Sequence, residues 1–245
     1  MTLALLGFGL LAGYIDSIAG GGGLITLPVL LWFLHSGPDA VGTNKIVGTT
    51  AALVALLIYR RNGHFQLKQS LYFSLAVGIG AVGGSLVTPY LPPYLFKWFL
   101  LVISPLILWI LSRREVWVRE PVIGPASRFS VRVLLVGFAA GIYDGMWGPG
   151  GGTFMFLGLF LVARLPLLQA IASSKLANVC SASFSLGSFA LRGYVHWQVG
   201  FIMASSVAVG AYYGAHHANK HSARIVRPVL TIVTLLLVLK IFFDR

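Results

Sequence analysis

Asp16 and Asp144 each stand in an apolar run, four residues ahead of a cluster of glycines, and 128 positions separate them. Gly13, Gly20, Gly22 and Gly23 keep the same offset to Gly141, Gly148, Gly150 and Gly151. Past a two-residue slip, Ala40, Lys45 and Gly63 lie 130 positions before Ala170, Lys175 and Gly193. Glycines alone coincide easily, but acids and lysines repeating in register within apolar surroundings do not. The chain therefore reads as two copies of one unit, which restricts it to folds assembled from a pair of like modules.

The solvent of those modules follows from composition. Apolar residues make up 57% of the 245 and charged residues 10%, with a mean hydropathy of +0.86, well outside the balance of a water-soluble domain. Apolar runs fall near residues 3–35, 40–59, 69–91, 94–112, 131–164, 168–191, 197–218 and 224–243, and about 20 helical residues suffice to cross a hydrocarbon core. A single membrane domain over 1–245 is expected, with the lipid bilayer as its main partner. The net charge of +12 would suit nucleic acid, but the Lys and Arg residues cluster in the short connections, as they do in cytoplasmic membrane loops, so no nucleic-acid partner is expected. The single Cys180 allows neither an intrachain disulfide nor a cysteine metal cluster. No Lys or Arg precedes Lys45, so the positive start of a cleaved signal peptide is missing and the N-terminus is expected to belong to the mature fold.

The first and fifth runs are too long for one straight crossing, because about 33 helical residues extend about 50 Å against a core of about 30 Å. Both are split by glycine. If each split run is a re-entrant hairpin, each half adds three full crossings and the second half is inverted. That arrangement puts twelve Lys and Arg, from Arg60 to Arg227, on one side, and only Lys97, Arg192, Lys240 and Arg245 on the other. If each split run crosses once, the halves are parallel and the count becomes eleven against five. The length and the charge bias both favour inversion. The expected fold is all-α: a polytopic membrane protein of two inverted repeats, each a glycine-broken re-entrant hairpin plus three transmembrane helices. Repeat one covers 1–112, a cytoplasmic linker 113–130 and repeat two 131–245, with both termini outside the cytoplasmic membrane.

Irregular backbone at membrane depth is tolerated where it is buried in protein or lines a wet cavity, although small residues also serve close helix packing. On the cavity reading, Gly21, Gly22, Gly23, Gly150 and Gly151 open helix N-termini toward an anion. Neither glycine run continues into the Lys-Ser/Thr of a phosphate loop. Lys45 and Lys175, with Thr43, Asn44, Ser173, Ser174 and Asn178 beside them, supply the cation and hydrogen bonds that a sulfonate, sulfite or carboxylate head requires; the plainer alternative is lysines reaching out to the interface. Gly48 stands where the second half has Asn178, so the site is expected to be asymmetric. Asp16 and Asp144 are read as proton-coupling groups or as permanent ion-pair partners, and Asp39 as a helix cap.

His217 and His221 have the spacing of metal ligands, with His216 adjacent, yet no third acidic or cysteine ligand is near and Lys220 and Arg224 flank them, so an interfacial basic loop is expected and no metal site. Trp98, Trp109, Trp117 and Trp197 near run ends read as interfacial anchors. No catalytic motif is present; neither an enzyme nor a cofactor is expected.

Asp16-Ser17-Ile18-Ala19 with Gly20–Gly23, Pro28, Gly42-Thr43-Asn44-Lys45, and the second-half Gly141–Gly152 with Ser173-Ser174-Lys175 resemble the TauE/SafE family of membrane transporters over nearly the whole chain. The resemblance implies passage of sulfite, sulfoacetate or other sulfur-containing or organic anions without a bound cofactor. It carries the family's glycine motif and downstream lysine onto Gly20–Gly23, Lys45, Gly148–Gly152 and Lys175. The expectation is a secondary transporter for a small anion, with a passive channel and an intramembrane enzyme as alternatives; monomer and homodimer both stay open.

Overall fold

The computed structural model describes residues 2–92 and 130–221, together with Ile225, Val226, Pro228, Val229, Thr231, Ile232 and Leu235. The expected span 94–112, nearly all of the linker 113–130, most of the span 224–243, and Trp98, Trp109 and Trp117 lie outside the described residues. Among the described residues all regular structure is helical. The helices are α1 (Thr2–Ala19), α2 (Gly23–Leu34), α3 (Gly37–Arg61), α4 (Leu67–Val87), α5 (Val131–Met146), α6 (Gly151–Leu157, prolonged by a π-helical turn Gly158–Val162), α7 (Leu167–Leu191) and α8 (Trp197–His221).

The duplication read from residue types recurs in the element boundaries. Adding 128 carries α2 onto α6 with its π-turn, and adding 130 carries α3 onto α7 at both ends. The two-residue slip sits in the connection: His35 and Ser36 join α2 to α3, whereas residues 163–166 join the π-turn to α7. A left-handed residue turns each connection, His35 at φ 56° and Arg164 at φ 51°. The first turn of α3 differs from the expectation. Gly37 and Pro38 take the opening helical positions, where a missing proline N–H costs nothing, so the cap is Ser36, whose hydroxyl accepts from the Asp39 N–H at 3.4 Å. Asp39 lies inside the first turn and its carboxylate faces His196 Nε2 at 3.6 Å. At the other end of the chain, α8 runs through His221, so the three histidines stand on helix where a loop was expected.

Packing follows the repeat but crosses between its halves. The main partner of α1 is α8 and the main partner of α5 is α4, while α3 and α7 pack on each other. Small residues make the crossings close. A methyl at Gly141 would lie 2.8 Å from the carbonyl carbon of Val77, and one at the equivalent Gly13 would lie 2.9 Å from that of Val207. Gly80 and Gly210 meet the backbone of α5 and α1 in the same way, near the amides of Ile142 and Tyr14. Two apolar cores flank the central pair, with Tyr59 and Phe73 fully buried in one and their counterparts Phe189 and Met203 in the other.

Large apolar side chains also stand on the outside of the described helices. Leu71, Leu75, Ile79 and Leu86 form an exposed stripe on α4, and Leu135, Phe138 and Phe201 are exposed on α5 and α8. Such area is costly in water and costs nothing against acyl chains. Residues 37–61 and 70–90 are each long and apolar enough to cross a membrane.

Candidate functional site

Both glycine breaks lie at the centre of the bundle and touch. Gly20 and Gly148, equivalent by 128, turn the chain at φ 77° and 92°, a region that side chains strain to enter. A methyl on Gly152 would come within 2.8 Å of the Gly20 Cα, so the breaks pack backbone on backbone.

Each break ends the helix that carries an aspartate, and each aspartate meets a lysine from the other half. Lys45 and Lys175 are both the ninth residue of a 25-residue helix, α3 and α7. Lys45 Nζ lies 3.1 Å from Asp144 Oδ2, and Lys175 Nζ lies 3.7 Å from Asp16 Oδ2. Each ammonium also donates to the main-chain carbonyl of its aspartate. These carbonyls belong to the last turns of α5 and α1, where the macrodipole is negative, and the Asp16 carbonyl also accepts the Gly20 N–H at 2.7 Å. One lysine thus pairs a carboxylate and caps a helix end. All four side chains are buried, with residue exposures of 3%, 1%, 6% and 4% for Lys45, Lys175, Asp16 and Asp144, which rules out lysines reaching for the interface.

The two pairs differ in what else they hold. Asp144 Oδ2 accepts the hydroxyl of Ser181 at 2.5 Å. Asp16 Oδ1 accepts the Gly22 N–H at 3.0 Å, while Asp16 Oδ2 has no hydrogen-bond partner. The N-terminus of α2 is thereby occupied by the chain's own carboxylate. Between the pairs lies a void of about 30 Å³, lined from the first half by Asp16, Gly20, Gly23, Asn44, Lys45 and Gly48 and from the second by Asp144, Gly148, Gly152, Asn178 and Ala182. A second void of about 20 Å³ touches Asp16, Gly22, Thr26, Asn44, Gly48 and Ala51 but not Asp144. Each has room for about one water.

Of the residues singled out in the sequence, Asp16, Asn44, Lys45, Asp144 and Asn178 converge on these voids, as do Gly22 and Gly23. Gly21, Gly150 and Gly151 are buried in the breaks without lining either void. Thr43 accepts the His196 N–H at 3.0 Å and Ser173 accepts the Ser70 hydroxyl at 2.7 Å, tying separate segments together, whereas Ser174 donates to the Ile171 carbonyl of its own helix at 2.8 Å. Sequence reading missed Ser181, and Thr26, whose hydroxyl donates to Asn44 Oδ1 at 2.6 Å. A signal existed for the first: Ser174, Asn178, Ser181 and Ser185 follow a helical spacing along α7, a polar stripe in an apolar helix. His217 Nδ1 meets the Tyr14 hydroxyl at 2.8 Å, joining α8 to α1.

The family model described as sulfite exporter TauE/SafE matches residues 5–241. The chain belongs to the TauE/SafE family. A probable membrane transporter protein, ORF9, of Sinorhizobium sp is 35% identical, with 96% of this chain and 89% of the relative covered. One from Haemophilus influenzae is 32% identical, covering 97% and 92%, and the probable membrane transporter protein YfcA of Escherichia coli is 30% identical, covering 96% and 87%. No solved structure matches. As a TauE/SafE protein the chain is a membrane transporter, and the apolar exterior is the face it turns to lipid.

Proposed function

We propose that this protein is a secondary transporter that moves a small anion, such as sulfite, a sulfonate or another organic anion, across the cytoplasmic membrane with proton coupling. The observation that carries the reading is the central void lined by both glycine breaks, by the Lys45–Asp144 pair and by Asp16, whose carboxylate faces Lys175 behind it. Buried charge of this kind is retained in membrane helices where it serves a pathway. Opening the Lys175–Asp16 pair frees an ammonium and the Gly22 amide, and opening the Lys45–Asp144 pair frees an ammonium and the Ser181 hydroxyl, which is the chemistry an oxyanion requires.

The two halves act as inverted repeats, each with a re-entrant hairpin, α1–α2 and α5–α6, whose tips meet at the midplane, and one half rocks against the other. The exchanged packing of α1 with α8 and α5 with α4 supports this two-fold arrangement. Repeat one takes 1–112, the cytoplasmic linker 113–130 and repeat two 131–245, with both termini outside. A void of about 30 Å³ has no room for sulfite, which fits an occluded carrier better than an open pore.

Counterflow in proteoliposomes tests the reading. Labelled sulfite, thiosulfate or 2-hydroxyethanesulfonate outside should accumulate transiently against an unlabelled pool of the same anion inside. Simple equilibration without overshoot, for every anion that crosses, would identify a channel. Anion-induced rises in melting temperature that vanish in Lys45→Gln and Lys175→Gln would place the ligand between the pairs.

A further inference from the structure

We propose that the two half-sites divide the labour: Asp16 alone takes up the proton, one for each monovalent anion, while Asp144 stays ionised as a fixed counter-ion. This rests on the proton-coupled reading above and assigns it to one carboxylate.

Asp144 Oδ2 holds the Ser181 hydroxyl at 2.5 Å and the Lys45 ammonium at 3.1 Å. A proton arriving there must displace donors already in place, and charge-assisted bonds of this kind are the strong ones. Asp16 Oδ2 is over nine-tenths buried, accepts no hydrogen bond, and has its ammonium at 3.7 Å. It borders both voids, one of which is lined by first-half residues and, from the second half, by Val207 alone. Either void has the volume of about one water beside the Asp16 carboxylate.

The difference is built into the lining residues at equivalent positions. Gly48 and Ala51 on α3 stand where α7 has Asn178 and Ser181, and Thr26 on α2 stands where α6 has Phe154. The first half leaves space and withholds the hydroxyl; the second fills the space and provides it. The charged groups near Asp16 are Lys175 from α7 and, across the shared void, Lys45 from α3 and Asp144 from α5. The Tyr59 hydroxyl of α3 donates to the neighbouring Ser17 carbonyl at 3.1 Å. Helices α2 and α6 carry no titratable side chain. From α8, Val207 faces the void, and its nearest titratable contact with α1 is His217 at Tyr14.

Charge balance gives the stoichiometry. Two lysines and two aspartates make a neutral chamber, so a monovalent anion entering leaves it with one negative charge in surroundings that penalise net charge. Adding one proton to the Asp16 carboxylate, to form a carboxylic acid, restores neutrality and releases the Lys175 ammonium to the anion. On exit the proton leaves with the anion and the pair closes again.

Difference infrared spectroscopy of the full chain in lipid tests this without needing flux, by following the carbonyl stretch of a protonated carboxylic acid as pH falls. A band present in wild type and in Asp144→Asn, and lost in Asp16→Asn, is the expected result. Ala51→Ser hands Asp16 the hydroxyl that Asp144 receives, and should weaken the band about tenfold at the same pH, with the protein still folded. A band that survives Asp16→Asn, or is untouched by Ala51→Ser, overturns the assignment. 2-Hydroxyethanesulfonate, a sulfonate that stays ionised throughout, should strengthen the band at fixed pH. If the band belongs to Asp16 but no anion strengthens it and none shows counterflow, the transport reading fails while the titrating residue stands.

Discussion

Around Asp144 stand Ser181 and Asn178, with Phe154 at the position equivalent to Thr26, and the carboxylate is held by a lysine at 3.1 Å and a hydroxyl at 2.5 Å. Around Asp16 the equivalent positions are Ala51, Gly48 and Thr26, and the lysine stands at 3.7 Å beside an acceptor without a donor. The charged residues were kept in both copies of the unit, whereas the residues that decide how tightly each pair is held were not. A duplicated scaffold can therefore hold one pair shut and leave its twin able to open, with the two linked through a shared void.

The largest expected effect separates the two lysines. Removing Lys45 leaves Asp144 buried without its ammonium, a loss of about 3–5 kcal/mol, and Lys45→Gln should lower the melting temperature in detergent much further than Lys175→Gln. Equal falls would mean that the two pairs are energetically alike and would break the comparison. Next comes a control in which the halves should behave alike. Gly13→Ala and Gly141→Ala each press a methyl on the facing helix backbone and should each cost about 1–3 kcal/mol, whereas Gly83→Ala, with nothing near its added methyl, should leave stability unchanged or raise it by up to about 1 kcal/mol.

Ser181→Ala should cost about 1–2 kcal/mol by stripping a donor from a buried carboxylate. Ala51→Ser should move the other way and stabilise the resting protein; a cost of similar size from both would show that the two environments are not interchangeable. The smallest effect lies at the periphery. Asp39 and His196 pair at 3.6 Å, while the equivalent positions are Gln169 and Gln66, bordering an open hollow of about 430 Å³. His196 is 47% exposed at its side chain, so Asp39→Asn should cost less than about 1 kcal/mol by melting temperature.

Much of the site was legible before any coordinates, and for a definite reason. Ionisable groups in apolar helices are expensive, so those that persist stand out, and Asp16, Lys45, Asp144 and Lys175 could be marked by type and register alone. Their pairing could not. Lys45 is 29 residues from Asp16 and 99 from Asp144, and proximity in sequence favours the wrong partner. Thr43, Ser173 and Ser174 show the complementary limit: a polar side chain beside a key lysine turns to whichever neighbour the helix packing presents, and for these three that neighbour is another helix or the same helix's backbone.

The amino-acid order alone set the helical character, the duplication and the rare charges in apolar runs, because each of these depends on local periodicity or on the cost of placing a residue in lipid. Which half supplies the partner of each charge, which pair is tight, and that the glycine breaks meet backbone to backbone were decided by tertiary packing. Those properties depend on distances between segments far apart in the chain, and the close crossings of α1 with α8 and α4 with α5 are what bring those segments together.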